Sequence, residues 1–590
     1  MVKHNLVRTS AVVVVAAGSL VAGLLASSGT AVAAAQQFSL ANVGNYGGEP
    51  SIVSDTAGTL YDSTPSGGLL VYKSTDKGVT WTATTTPDPL SGDSCLATDQ
   101  SGAVYACNLA GTPGSAPLQA DVWKSKDHGA TWVHGQGAAP PPATGQCGTS
   151  CSLFGVDRQW TAANIAAGKT TNTADVVLMY HDFYGPSHIW VNISHDGGAT
   201  FGAPQEVLSS PAVTPGGLTG TLTAQGYTFC NTVPAGVGIV PTGRPHAGRI
   251  IVGWIAADAA QDALGCNVSQ AEGFHTLWVS YSDDNGVTWT PQQAFDAGAG
   301  HDTSTPFVGM NFDNAGNPYF AFATNHWDPS PATNLSNPAQ CAALSTAGTV
   351  QGHQECAYDM YVVWSADQGA TWDHSGSSGT IPGSAAAPYK VNSAAETGTH
   401  WFPAIAAGGP GQVDVSYLRT PEILPTEPNG KTLPGGCDGP GPANGNPTTY
   451  PPRCDWNLHA AQSLNLTGTP AAATWTLSGA ITPAPMHKGD ICNLGIACVT
   501  PPNQQDRRDL LDFIQETIDP TTGCAHIAYA DDNLINKLRV ANQSAGCMAI
   551  TPPAQVAETP VTVLLIGVGA AAALTAGLAR RRRRGGLALA

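Results

Sequence analysis

The sequence predicts an all-β fold, a single β-propeller of seven four-stranded blades, on three observations. The first is a short pattern, Ser-x-Asp-x-Gly-x-Thr plus an aromatic residue, that occurs five times. It stands at Ser74/Asp76/Gly78/Thr80/Trp81, Ser125/Asp127/Gly129/Thr131/Trp132, Ser194/Asp196/Gly198/Thr200/Phe201, Ser282/Asp284/Gly286/Thr288/Trp289 and Ser365/Asp367/Gly369/Thr371/Trp372. The second is an Asp-x-x-Gly turn between β-branched runs, at Asp55 to Gly58, Asp99 to Gly102 and Asp313 to Gly316, with a longer version from Asp519 to Gly523. The third is composition: 68 Gly, 44 Pro and only 11% charged residues suit many short strands joined by turns.

Taken in order, residues 1–35 read as a secretory signal, with Lys3 and Arg8 before the apolar run Ala11 to Leu25 and small residues around Ala33. The five patterns each follow a strand-like run, such as Leu69 to Lys73 or Thr276 to Ser280, so each marks the tip of a hairpin. The Asp accepts bonds from backbone N–H groups just ahead of it, and the Gly supplies a left-handed residue. Alternating the two turn types gives strand, turn, strand, connection, strand, turn, strand: one blade.

Counted this way, blades fall near 46–86, 93–136, 152–208, 228–293, 303–376 and 400–480. In the sixth the pattern is broken, with Ser463 and Asn465 surviving and Thr474-Trp475 following later. A seventh blade begins at Leu510 and supplies three strands, and Gln37 to Val43 is expected to add the fourth and close the ring. The propeller thus occupies 36–550, a Pro-rich stalk 551–560, an apolar transmembrane helix 561–579 and a basic cytoplasmic tail 580–590. The expected topology is single-pass type I, in the cell membrane, with the propeller extracellular.

Without Lys3, Arg8 and the five tail arginines, 17 basic residues face 42 acidic ones, a net charge near −25. Such a surface repels nucleic acid. All 14 cysteines lie in the exported part, in an oxidising compartment. The economical pairing joins neighbours: Cys95/Cys107, Cys147/Cys151, Cys230/Cys266, Cys341/Cys356, Cys437/Cys454, Cys492/Cys498 and Cys524/Cys547, though spacing leaves connectivity open.

The repeated pattern resembles the Asp-box, or bacterial neuraminidase repeat, of the sialidase-like β-propellers. The resemblance covers most of 46–550 and makes six blades the alternative count, since sialidases proper have six. It implies that the Asp-box carboxylates are structural and that ligands bind the opposite face, at the ends where chain enters first strands. There the sequence offers Glu49, Asp157, Arg158, Asp302, Glu396, His400, Asp506, Arg507, Arg508 and Asp509 as candidate site residues, with Trp160, Trp401 and Asp512 beside them. Carboxylates next to guanidinium groups can perform acid/base work or hold a polar ligand. The connections on that face have also grown, at 256–273, 325–356 and 420–453.

The resemblance fails at one point. Sialidases hold the substrate carboxylate with three arginines, the first in an Arg-Ile-Pro element. Here that stretch reads Gly48-Glu49-Pro50, and no Tyr nucleophile with a Glu partner stands out; Tyr529 is a strand residue. The expected partner is therefore an extracellular glycan, bound or processed at the central face, rather than a sialoside. The alternative is a non-catalytic propeller that binds protein, as sortilin-like Asp-box proteins do. No cofactor is required. Calcium suits the acidic run Asp531-Asp532-Asn533, although no loop carries a full ligand spacing.

Overall fold

The computed structural model describes residues 35–65, 68–89, 92–110, 119–135, 156–182, 189–207, 213–214, 217–218, 227–258, 274–297, 303, 307–325, 358–372, 388–421, 454–466, 473–489, 491, 510–534 and 537–550. The signal, stalk, apolar run 561–579 and basic tail lie outside these residues, as do most of the three grown connections. No helix among the described residues is long and apolar enough to cross a membrane.

Seven antiparallel sheets form seven blades. Their first strands are Ser51–Ser54, Ser94–Thr98, Val156–Asn164, Tyr227–Ile239, Gly309–Phe312, Thr399–Ala407 and Gln515–Ile518. Blades 1 to 6 take their strands in sequence order, and a short strand, His487–Lys488, also pairs with the third strand of blade 6, Asp455–Ser463. Blade 7 is completed from the other end of the chain. Gln37–Gly44 runs antiparallel to Lys537–Ala545, with Leu40 opposite Ala541. The expected closing strand is present, and the count is seven.

Blades are held by what lies between them. In Ile250–Asp258, the second strand of blade 4, Ile250, Val252 and Trp254 join the core shared with blade 3, while Ile251 and Ile255 join the core shared with blade 5. A strand buried on both faces must be apolar at every position, which explains its continuous hydrophobic run. Gly253 is glycine because a Cβ there would lie 2.3 Å from Met310 Sδ of blade 5. Trp289 sits in the blade 3/4 core, 3% exposed, as a wedge between sheets. The seam between blades 7 and 1 has a small apolar core among the described residues, Ile52, Ala528 and Val540 with Val43 and Trp81 packed on it.

The repeated turns share one hydrogen-bond set. At Ser125 to Thr131, the Gly129 N–H donates to Ser125 Oγ (2.8 Å), and Asp127 Oδ1 accepts from Ser125 Oγ (2.8 Å) and from the Thr131 N–H (2.8 Å). Thr131 Oγ1 donates to Asp127 Oδ2 (2.6 Å). The other four copies repeat this set. The broken sixth copy keeps part of it. Asn465 Oδ1 accepts from the Thr474 N–H (3.0 Å) and Thr474 Oγ1 (3.2 Å), nine residues on instead of four. The Asp-x-x-Gly turns close likewise, with Asp55 Oδ1 accepting from the N–H groups of Ala57 and Thr59. Cys95–Cys107 and Cys524–Cys547 are disulfides as expected, and Cys454 is also disulfide-bonded. The remaining expected pairs involve residues outside the described ones.

Candidate functional site

Where chain enters the first strands, four residues other than glycine take left-handed backbone: Glu49 (φ 44°), Arg158 (φ 53°), Phe402 (φ 54°) and Leu511 (φ 55°). Such conformations are strained for bulky side chains and persist only where the surroundings impose them. At Arg158 and Phe402 the strain coincides with irregular pairing, between Asp157 and Trp160 and between Trp401 and Ala404. A bulge of this kind re-aims side chains. In blade 3 it turns Arg158 to the ring axis.

Arg158 is the hub of a five-residue ionic cluster drawn from blades 1, 2, 3 and 7. Its Nη2 donates to Glu49 Oε1 (3.0 Å) and to Asp512 Oδ2. Its Nη1 lies 3.5 Å from Asp93 Oδ2, and its Nε lies 3.9 Å from Asp157 Oδ2. The guanidinium stacks over the rings of Phe307 (4.7 Å) and Phe513 (5.9 Å), and Trp160 packs on Phe513 (5.5 Å). Below this cluster a cavity runs along the axis, lined by all seven first strands, including Ile52, Leu96, Thr161, Val237, Met310 and Ile405.

One cation cannot neutralise four carboxyls, and burial decides how the surplus is carried. Burial pushes the Glu49 carboxyl well above its ordinary range, against the pull of Arg158 and with help from Asp93 and Asp512. Burial likewise pushes Asp157 up to about 7, with Arg158 opposing and Asp93 reinforcing. Arg158 stays charged because the carboxyls around it outweigh its own desolvation. The site opens on one side only: Asp93 and Asp157 are 27% and 15% exposed, against 1% for Glu49. The solvent-facing edge is therefore a pair of carboxyls, Asp93 and Asp157, beside the Arg158 guanidinium.

Glu396 and His400 form a second group, in blade 6. Tyr417 OH donates to Glu396 Oε2 (3.1 Å), and His459 Nδ1 lies 3.2 Å from Glu396 Oε1. The Tyr417 ring stacks on His459 and meets His400 edge-on. Burial works to raise the Glu396 carboxyl, but its hydrogen bonds with His459 and Tyr417 hold it below its usual range. His400 is bonded to the Tyr358 carbonyl (2.7 Å) and pushed down to about 4 by burial, so it is neutral.

Of the residues expected from sequence, the structure thus joins Glu49, Asp157, Arg158 and Asp512 in one cluster and Glu396 with His400 in another. Asp302, Asp506, Arg507, Arg508 and Asp509 lie outside the described residues. Trp401 is not a face residue: it is fully buried against Tyr358 and Trp456. The carboxyls of the acidic run read as suiting calcium are engaged by side chains, Asp531 by Arg539 (3.1 Å) and Asp532 by the His487 ring (2.6 Å). Among the described residues, no three His, Cys, Asp or Glu side chains converge as metal ligands. Sequence reasoning missed Asp93, Phe307, Phe513, Tyr417 and His459. Asp93 alone had a signal, standing in the Gly-Asp-Ser approach to the first strand of blade 2 as Glu49 does in blade 1.

No family model matches the chain. In fold it is similar to the α-L-arabinanase of Penicillium chrysogenum complexed with arabinobiose, at 13% identity over 65% of this chain and 94% of that one, TM-score 0.37. It is also similar to an ulvan lyase, at 10% identity over 85% and 95%, TM-score 0.39, and to the Hadza microbial sialidase Hz136, at 11% over 82% and 75%, TM-score 0.33.

Proposed function

We propose that the axial face binds a neutral glycan, with the Asp93–Asp157 edge exchanging hydrogen bonds and a proton with it. The observation that carries this reading is the partly exposed Asp157, pushed up to about 7 beside an arginine whose charge is already consumed. A carboxyl that titrates near neutrality can both donate to and accept from sugar hydroxyls, and it is competent as a general acid. An anionic sugar finds no free guanidinium here: the one arginine in the described cluster is surrounded by Glu49, Asp93, Asp157 and Asp512. Burying a second anion beside them is costly. Trp160, with Phe307 and Phe513 around Arg158, supplies the apolar surface on which a sugar ring rests. In the same reading the propeller is displayed outside the cell on a single C-terminal helix, so protease treatment of intact cells removes it and leaves a short membrane-bound stub.

The test is a glycan array together with chromogenic neutral glycosides and a fluorogenic sialoside. Binding or turnover of neutral sugars, lost in Asp157→Asn, is expected. Sialoside turnover by the wild-type protein would contradict the reading.

A further inference from the structure

Where blade 6 meets blade 7, a group of buried oxygens has fewer protein donors than it can accept from. Glu516, on the first strand of blade 7, faces Asp414 and Ser416 on the second strand of blade 6, Val413–Thr420. Gln462, on the neighbouring strand, and Gln36, just before the closing strand, donate through Nε2 to Asp414 Oδ2 at 3.1 and 2.6 Å. All five residues are buried. Ser416, through its hydroxyl and its N–H, faces the Glu516 carboxyl, while Asp414 Oδ1, Gln36 Oε1 and Gln462 Oε1 have no hydrogen-bond partner and the Glu516 oxygens lie beyond close hydrogen-bond geometry. No lysine, arginine or histidine is among the groups acting on Asp414.

Two buried carboxyls in contact cannot both ionise without a counter-charge. A proton shared between them satisfies one pair of oxygens and leaves the two amide carbonyls bare. A cation accommodates the whole set. We propose that Asp414, Glu516, Gln36, Gln462 and Ser416 form a binding site for a hard divalent cation, calcium by its donor set. The site holds oxygen only, with two carboxylates to balance two charges and neutral carbonyls to complete six or more ligands, which suits calcium better than a thiophilic metal or the stricter octahedron of magnesium. The amides need only rotate to present oxygen in place of nitrogen. Glu516 also lines the axial cavity, which gives the ion a way in. Bound there, the ion ties Gln36 to blade 6 across 378 residues of sequence and fastens the lead into the strand that closes the ring.

The experiment uses the full chain, stripped with a chelator and titrated with calcium or magnesium, with calorimetric binding and thermal unfolding as readouts. Calcium is expected to raise the melting temperature by several degrees, and magnesium to raise it less. Glu516→Gln is expected to abolish that rise, and Gln36→Ala to weaken calcium binding while leaving the protein folded. If Glu516→Gln does not fold, Gln36→Ala carries the test alone. A melting temperature indifferent to calcium, with Glu516→Gln as stable as the wild type, would show a shared proton and overturn the proposal. A calcium-dependent rise that survives both substitutions would place the ion elsewhere and overturn it equally.

Discussion

The two ends of the ring use the same side chain for opposite purposes. On the turn side, Asp127 is exposed and accepts bonds from the Thr131 hydroxyl and N–H, which hold its carboxyl down to about 2. On the axial side, Asp157 is enclosed by its neighbours, and burial lifts its carboxyl to about 7. The first is one of five copies with a single hydrogen-bond set; the second occurs once, beside strained backbone at Arg158. The difference teaches that repetition in this chain specifies the fold, and departure from repetition specifies the chemistry.

The largest expected effect comes from the hub of the axial cluster. Arg158→Ala leaves Glu49, Asp93, Asp157 and Asp512 without their cation, and stranding buried charge in this way costs about 5 kcal/mol. Denaturant unfolding at pH 7 measures it. A loss no larger than that of a surface substitution would break the comparison, because the cluster would then be open to water. Next comes the repeated scaffold. Trp289→Ala removes the buried wedge between blades 3 and 4 and should cost about 3 kcal/mol in the same experiment.

The smallest effects sharpen the comparison because they differ in sign. Asp127→Asn removes an exposed carboxylate from its turn and should cost about 1 kcal/mol at pH 7. Its folded pKa lies below the ordinary 3.8, so its contribution is present above that value and is lost as pH falls toward 2. Asp157 behaves in reverse. Its folded pKa lies above 3.8, so the fold holds the proton more tightly than the unfolded chain between 3.8 and about 7, and stability falls as pH rises through that window. Asp157→Asn should therefore leave stability unchanged or higher at pH 8, where Asp127→Asn lowers it. Matching signs in thermal melts at pH 8 would dissolve the distinction.

Sequence carried the fold further than the site, for physical reasons. Turn chemistry is local: Ser, Asp, Gly and Thr at fixed spacing determine their own hydrogen bonds, so seven blades and the closing strand Gln37–Gly44 were readable. Even the damaged sixth copy kept bonds donated by Thr474 to Asn465 Oδ1. The axial cluster was half readable. Glu49, Asp157 and Arg158 stood out because charges are rare in this chain and these three precede or begin first strands. Phe307 and Phe513 did not, since their meeting with Arg158 depends on the ring bringing distant blades to one axis, and the signal at Asp93, its place before a first strand, was overlooked. Tyr417 and His459 were hidden differently: each sits on a strand whose alternation explains it as core, and only the pairing of Tyr417 opposite His459 sets them beside Glu396. The side chains that engage Asp531 and Asp532, Arg539 and His487, come from other strands and were not visible from the acidic run itself.

The most direct measurement is a carboxylate-region infrared titration of the wild type against Asp157→Asn and Asp127→Asn. The wild-type-minus-Asp157→Asn difference should titrate near 7, and the wild-type-minus-Asp127→Asn difference near 2. An Asp157 difference titrating near the ordinary 3.8 would contradict the assignment of the axial cluster as the chemical face of this propeller.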